Sequence, residues 1–381
     1  MSARNGERHM RVLFAGGGTG GHVYMAVSVV RRLLQEDSGA QILFAGARGG
    51  MEERILPPLG FPLETFPLGG LKNVGLRRRF QTLTQLLPAY VRSRRLLRRF
   101  RPNVVVGLGG YSSGPIVLAA ARAKIPVILI EPNAYPGYTN RLLARFADQI
   151  AAGFPETARV WGTKAVVTGI PIRDEFFHLP LPDFDVVRLN LLVFGGSQGS
   201  QPINRLIMEA APRLEEQNLH VIHQTGPEHY AEVAEHYRRT AKKVEVLPYI
   251  EDMPSMFGRA HLILSRSGAS TVAEIAAAGR PAVLIPFPAA ADDHQTRNAQ
   301  VLADAGAAVV LSQSSLTPPL LANALLELAA DRNHLRRMAT AARTVSVPEA
   351  SGRILDLIFG ADRNRADGTE RRQSAAGKVR G

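Results

Sequence analysis

The chain has 381 residues and no cysteine, which excludes disulfides, thiolate metal sites and thiol nucleophiles together and fits a reducing compartment. It also lacks a long apolar run. The stretch from Ile116 to Ile130 is broken by Arg122 and Lys124 and falls short of a bilayer crossing. The N-terminal MSARNGERHMRVLFAGG offers only about five apolar residues before its glycines, too few for a signal-peptide core. The expectation is a cytoplasmic protein without a membrane span. Acidic residues are the third absence: none lies between Glu64 and Glu131.

That interval instead carries twelve cations, Lys72, Arg77, Arg78, Arg79, Arg92, Arg94, Arg95, Arg98, Arg99, Arg101, Arg122 and Lys124, within a chain of formal net charge +13. Such a patch attracts something anionic. Few aromatics and no nucleic-acid fold signature argue against nucleic acid. In LRRRFQTLTQLLPAYVRSRRLLRRF the arginines alternate with Leu, Phe, Tyr and Val, the mixture of a surface lying on an anionic bilayer. An ordinary solvated helix face is the plainer alternative.

What is present points to a folded α/β protein. Apolar residues make up 45% of a chain longer than a usual single core, so two domains are expected. Strand-like runs occur at 11–16, 41–46, 103–109, 126–132, 191–196, 220–226, 244–249, 261–265 and 281–287, with helix-length segments between most of them. This is the β-α-β alternation of a parallel, doubly wound sheet, and all-apolar strands imply burial on both faces. The order also repeats. Strands lead into GGGTGG, GLGGYSSG and LIEPN in the first half, and into GGSQG, SRSGAS and LIPFP in the second. Ligands of such sheets bind beyond the carboxyl ends of the strands, where these loops lie. The proline-rich Gly169–Asp185 segment reads as the junction, and the polar residues 361–381 as a disordered basic tail.

Gly16, Gly18 and Gly21 satisfy the dinucleotide pattern G-x-G-x-x-G, yet the second strand ends in FAGARGG, with Arg48 and no carboxylate for a ribose. A nicotinamide enzyme therefore remains an alternative. GGSQGSQPIN competes for a diphosphate, because it follows a strand and opens a helix whose N–H groups face outward. Neither loop carries the Gly-Lys-Ser/Thr of a P-loop. In SRSGASTVAEIAAAG, Glu274 stands one turn into a helix, where a carboxylate accepts both hydroxyls of a ribose. Thr271-x-x-Glu274 is equally a capping box. Asp183-Phe184-Asp185 spells a D-x-D metal motif, but in a proline-rich linker.

Taken in order, GGGTGGH, GLGGYSSGP, IEPNAYPGYTN, GIPIR, GGSQGSQPIN and YIEDM…SRSGASTVAEIAAAGRPAVLIPFP resemble the MurG family of bacterial peptidoglycan synthesis over about residues 11–358. The resemblance implies a GT-B glycosyltransferase, two Rossmann-like domains facing each other across a deep cleft. It implies inverting transfer of N-acetylglucosamine from UDP-GlcNAc to lipid I, without metal or other cofactor, at the cytoplasmic face of the membrane. Residues 1–170 would form the acceptor and membrane-associating domain and 171–345 the UDP-GlcNAc domain. A helix at 346–360 would pack back on the first. Another GT-B protein, a glycolipid synthase or a UDP-GlcNAc 2-epimerase, would share the nucleotide site, and a non-catalytic membrane module is a further alternative.

Matching motif by motif, the resemblance places donor contacts at Thr19, Gly20, Asn133, Arg173, Ser197, Ile250, Glu274 and Gln295. Further donor or acceptor contacts fall at Gly18, Gly21, Tyr111, Asn140, Gly196, Gln198, Met253, Arg266 and Asn298. Thr19, His22, Tyr111, Asn133 and Asn140 match the acceptor side. His22 is the candidate base, as imidazole accepts a proton near neutral pH, and Glu131 is its rival. The chain departs from the family at Met25, Pro132, Ile170 and His294, where proline, glutamine, asparagine and glutamine are usual.

Overall fold

The structure is a computed structural model; it describes residues 9–66, 76–241 and 243–378, with the backbone alone for 76–86, 291 and 366–378. Lys72 and the side chains of Arg77, Arg78 and Arg79 lie outside the described residues. The chain divides into two compact units, Met1–Pro171 with Glu349–Gly381, and Ile172–Pro348.

The first unit opens with β1 (Arg11–Ala15), α1 (Gly20–Glu36), β2 (Gln41–Ala47), α2 (Glu52–Ile55) and β3 (Leu63–Phe66). There follow α3 (Leu76–Phe100), β4 (Val104–Gly107), α4 (Ser113–Arg122), β5 (Val127–Glu131) and α5 (Tyr138–Leu143). It continues with β6 (Gln149–Ala152), α6 (Pro155–Trp161) and β7 (Ala165–Val167). All pairings are parallel, in the order β3-β2-β1-β4-β5-β6-β7. Alternate residues of a strand face opposite sides. Val12 and Phe14 accordingly pack with Val23, Val27 and Val30 of α1, and Leu13 and Ala15 pack with Ile116 and Ala120 of α4.

The second unit runs β8 (Leu189–Phe194), α7 (Gln201–Glu216), β9 (Leu219–Gln224), α8 (Tyr230–Thr240), β10 (Glu245–Leu247) and α9 (Met253–Arg259). Next come β11 (Leu262–Ser265), α10 (Ala269–Ala278), β12 (Ala282–Leu284), α11 (His294–Asp304) and β13 (Ala308–Val310). Helices α12 (Pro318–Ala330) and α13 (Arg332–Thr344) complete it. The sheet order is β10-β9-β8-β11-β12-β13, again parallel.

The last helix, α14 (Ala350–Lys378), belongs to the first unit. Ile354, Leu355, Ile358 and Ala361 share one stripe and join Val12, Phe14 and Val23 in the core. The helix passes Ala361 without a break, where the sequence leads one to expect a disordered tail. Two contacts explain the extension: Asn103 Nδ2 donates to Asp362 Oδ1 at 2.8 Å, and Arg365 donates to the Pro102 carbonyl.

In both sheets the strand order reverses about the first strand. The loops after β1 and β4, and those after β8 and β11, therefore leave adjacent strands toward opposite faces and open a crevice at each switch point. Register supports this, since Ala15 pairs with Gly107 and Phe194 with Ser265 at the carboxyl ends.

Candidate active site

In the second unit the turn Gly195–Ser200 leads from β8 into α7. Gly196 and Gly199 hold φ of +96° and +74°, and Gly199 N–H donates to the Gly196 carbonyl at 2.9 Å. Ser197 and Gln198 stand at the surface of this turn, ahead of the helix N-terminus, where amides and helix dipole favour an anion. Beneath it Arg266 is 8% exposed, and its guanidinium is fully engaged. It donates to the carbonyls of Ile285 and Pro286, each at 3.0 Å, to Ser200 Oγ at 2.9 Å and to Gln313 Oε1 at 2.6 Å. Burial lowers its pKa to about 10, which still leaves it charged at neutral pH. Arg266 thus braces the loop from inside.

Asn298 has a similar fate. It is fully buried and donates to the Ser267 carbonyl at 3.2 Å, so it acts on the site through the end of β11. Gln295 Oε1 accepts from Phe287 N–H at 3.0 Å, and the Gln295 carbonyl accepts from Ser267 Oγ at 2.8 Å. The loops after β11 and β12 and the start of α11 are thereby tied together. Ile250 is buried just before α9, and Met253 opens that helix half-buried.

Glu274 gives the clearest signal. Helix α10 starts at Ala269, with Gly268 as its N-cap and no capping side chain. Thr271 is therefore already inside the helix, and the capping-box alternative fails. No described residue hydrogen-bonds the Glu274 carboxylate. Burial pushes its pKa up to about 7, opposed by the nearby positive charge of Arg173. Arg173 itself packs over the Phe176 ring at 5.2 Å. By exposed surface Glu274 is half-buried, and a carboxylate there without a hydrogen-bonding partner among the described residues is ready for one supplied from outside.

The D-x-D carboxylates have partners within the protein. Phe184 is buried in the core, Asp183 Oδ1 accepts from Asp185 N–H at 2.9 Å, and Asp185 pairs with Arg336. Among the described residues no three His, Asp or Glu side chains group to hold a metal.

In the first unit Thr19 is the N-cap of α1, and its Oγ1 lies 2.7 Å from His22 Nδ1. The glycine turns after β1 and β4 pack backbone on backbone. A Cβ on Gly16 would lie 2.2 Å from the Gly109 carbonyl oxygen, and Gly16 holds φ of +104°. Tyr111 extends from the second turn, 36% exposed.

Glu131, the rival base, is 1% exposed. Its Oε1 accepts from the N–H and Nδ2 of Asn133 at 3.1 and 2.9 Å. Its Oε2 accepts from Gly137 N–H at 2.9 Å and Asn140 Nδ2 at 3.0 Å. Burial raises its pKa, and these four donors lower it. A carboxylate so enclosed organises the loop that presents Asn133. Asn140 is likewise buried, its amide shared between Glu131 and the Ile130 carbonyl. Of the four departures, Met25 and Ile170 are buried. One acidic residue passed over in the sequence, Glu52, stands inside the first glycine loop, where Oε1 accepts from Gly18 N–H at 2.9 Å. Its signal in the sequence is an acid two residues after the Gly49-Gly50 pair that follows β2.

Residues 12–152 match the Glycosyltransferase family 28 N-terminal domain and residues 190–354 its C-terminal domain. The UDP-N-acetylglucosamine--N-acetylmuramyl-(pentapeptide) pyrophosphoryl-undecaprenol N-acetylglucosamine transferase of Syntrophotalea carbinolica is 43% identical over 350 residues, covering 91% of this chain and 97% of that protein. Among solved structures, MurG of Acinetobacter baumannii is 34% identical with a TM-score of 0.74, covering 92% of this chain and 99% of that one. A UDP-GlcNAc 2-epimerase from Neisseria meningitidis, solved with UDP-GlcNAc, is 16% identical with a TM-score of 0.64, covering 92% of this chain and 100% of that one. At that identity the likeness shows the fold alone.

Proposed function

The chain belongs to glycosyltransferase family 28, and from that premise we propose that it moves N-acetylglucosamine from UDP-GlcNAc to the 4-hydroxyl of the muramoyl sugar of lipid I, releasing UDP and lipid II. The single observation that carries the reading is Glu274, a half-buried carboxylate without a hydrogen-bonding partner among the described residues, in the same unit as a glycine turn at a helix N-terminus. Together they match a nucleoside diphosphate. The ribose hydroxyls donate to Glu274, the diphosphate meets the amides of Gly196, Ser197 and Gln198, and uracil lies at Ile250 and Met253. Arg173 and the N-terminus of α7 stabilise charge as it develops on the leaving UDP, the large term in such reactions. Gln295 orients the donor sugar.

In the reaction the muramoyl oxygen forms a bond to C1 of N-acetylglucosamine as the bond from C1 to the β-phosphate oxygen breaks. The electron pair leaves with UDP, and the configuration at C1 inverts. The hydroxyl proton passes to the His22 imidazole, since Glu131 is enclosed by its own donors. Tyr111 and Asn133 complete the acceptor side.

The decisive experiment offers several donors and acceptors in the presence of EDTA. Transfer of N-acetylglucosamine to lipid I or a short-chain analogue is expected to persist. Transfer only to diacylglycerol, epimerisation without acceptor, or a thermal shift with NADP and none with UDP would each overturn the assignment.

The site of action in this reading is the cytoplasmic face of the membrane, with the protein bound peripherally; among the described residues no helix is long and apolar enough to cross one. The support is α3, where Arg92, Arg94, Arg95, Arg98 and Arg99 are exposed beside Leu87, 71% exposed, and Val91. Arg99 also pairs with Glu64. Reversing several charges among Arg77, Arg78, Arg79, Arg94, Arg95 and Arg98 is expected to weaken cosedimentation with anionic liposomes and to spare UDP affinity. Unchanged liposome binding would assign the patch another partner.

A further inference from the structure

We propose that Glu52 is a positioning residue for the acceptor side of the reaction, its carboxylate fixing the glycine turn between β1 and α1 and, through that turn, His22. The proposal rests on the transferase reading for its kinetic consequence and on geometry alone for the structural one.

Glu52 is 1% exposed although it opens the four-residue helix α2 at the protein surface. Burying a carboxylate is costly unless it is paired, and here only one oxygen has a partner. Oε1 accepts from Gly18 N–H at 2.9 Å, whereas Oε2 is buried with no hydrogen-bond partner among the described residues. Such unsatisfied buried atoms are rare in folded proteins and call for an explanation.

The chain clears space for this carboxylate at three glycines. A Cβ on Gly17 would lie 2.4 Å from Oε1, one on Gly46 2.8 Å from Oε1, and one on Gly50 2.1 Å from Oε2. The turn it supports needs support. Gly16, Gly17 and Gly18 hold φ of +104°, +143° and +87°, three consecutive residues in a region only glycine enters freely. Gly18 is followed at once by Thr19, the N-cap whose hydroxyl meets His22 Nδ1. A strut on Gly18 therefore sets where the imidazole stands. The Glu52 charge also reaches the neighbouring turn, where together with burial it raises the pKa of the Tyr111 hydroxyl.

The same geometry limits where an acceptor diphosphate binds. The Gly18 N–H already serves a carboxylate, and a second anion there would face like charge. The amides of Gly20 and Gly21, at the start of α1, are the donors that fit it.

Three variants of the full chain test the assignment: Glu52→Ala, Glu52→Gln and Gly50→Ala. The readouts are kcat and KM for each substrate, and hydrogen exchange of peptides spanning 14–22. Glu52→Ala is expected to lower kcat by about 10- to 100-fold, the scale for a misplaced catalytic group, with KM for UDP-GlcNAc within about twofold. Glu52→Gln keeps an acceptor for Gly18 and should restore most of the rate. Gly50→Ala puts a methyl where Oε2 lies and should reproduce Glu52→Ala, and the double variant should be no worse than Glu52→Ala alone, because both act on one carboxylate. Loop exchange should quicken in Glu52→Ala and Gly50→Ala but not in Glu52→Gln. Wild-type kcat and loop exchange in Glu52→Ala would overturn the proposal, as would equal losses in the Ala and Gln variants or a donor KM that rises in step with the fall in kcat. A wild-type chain without transfer activity would overturn the functional reading, while the exchange comparison would still decide the role of Glu52.

Discussion

Glu274→Ala is expected to lower kcat/KM for UDP-GlcNAc by about 100- to 1,000-fold while leaving the fold intact. The carboxylate would lose two charge-assisted hydrogen bonds to the ribose, each worth about 1.5–3 kcal/mol. Less than full additivity leaves about 3–4 kcal/mol, which converts to that rate ratio. Its pH dependence is distinctive. Burial pushes Glu274 up to about 7, and only the ionised form accepts from both hydroxyls. KM for the donor should rise about tenfold for each pH unit below about 7, and Glu274→Gln should flatten that limb.

The same group affects stability in the opposite direction. Its folded pKa lies above the ordinary 4.5, so its favourable contribution is complete below that value and is lost as pH rises through about 7. At about pH 8 the nucleotide-free Glu274→Gln variant should therefore melt above the wild type. Steady-state kinetics across this range and thermal melts check both statements. A Gln variant that melts lower and binds UDP normally would mean the carboxylate has a structural partner.

Gly199→Ala should be the most damaging change in the second unit that removes no polar group. A Cβ there would lie 1.9 Å from the Thr225 carbonyl oxygen, and the reciprocal one on Gly226 2.0 Å from that of Gln198. Backbone meets backbone, so no flexible side chain can give way. Gly199 also holds φ of +74°. Left-handed strain plus the displaced loop costs about 3 kcal/mol or more, roughly a 6–12 °C fall in melting temperature for a domain of this size. UDP affinity should fall with it, because Ser197 and Gln198 ride on the same turn. Gly162→Ala is the control. It also holds positive φ, +55°, but has nothing within 4 Å of its Cβ, and it should cost only the backbone term and leave UDP binding unchanged.

Much of this architecture is legible in the chain. The runs RVLFA, VVVG, VILIE and LNLLVF are apolar enough to demand burial on both faces, and the glycine loops after them mark the carboxyl ends of parallel strands. Strands β3, β6, β7 and β13 escape such a reading. They have four, four, three and three residues, and QIAA or LETF carries no periodicity of its own. Their pairing is imposed by the strand already in place beside them. The helical continuation past Ala361 escapes for a related reason, since its anchor is Asn103 at the far end of the unit's sequence.

The active-site residues divide along the same line. The sequence by itself determined the two-unit α/β class, the order of the phosphate-type loops and the residue types they carry, because burial periodicity and turn chemistry are local properties. Only the tertiary structure decided what each acid does. Glu131 is enclosed by four donors, Glu274 stands half-buried without a hydrogen bond from the described residues, and Glu52 reaches Gly18 across 34 positions to hold the loop of His22. Partners so distant in the chain are chosen by strand order, and strand order is set by non-local pairing that no local pattern encodes.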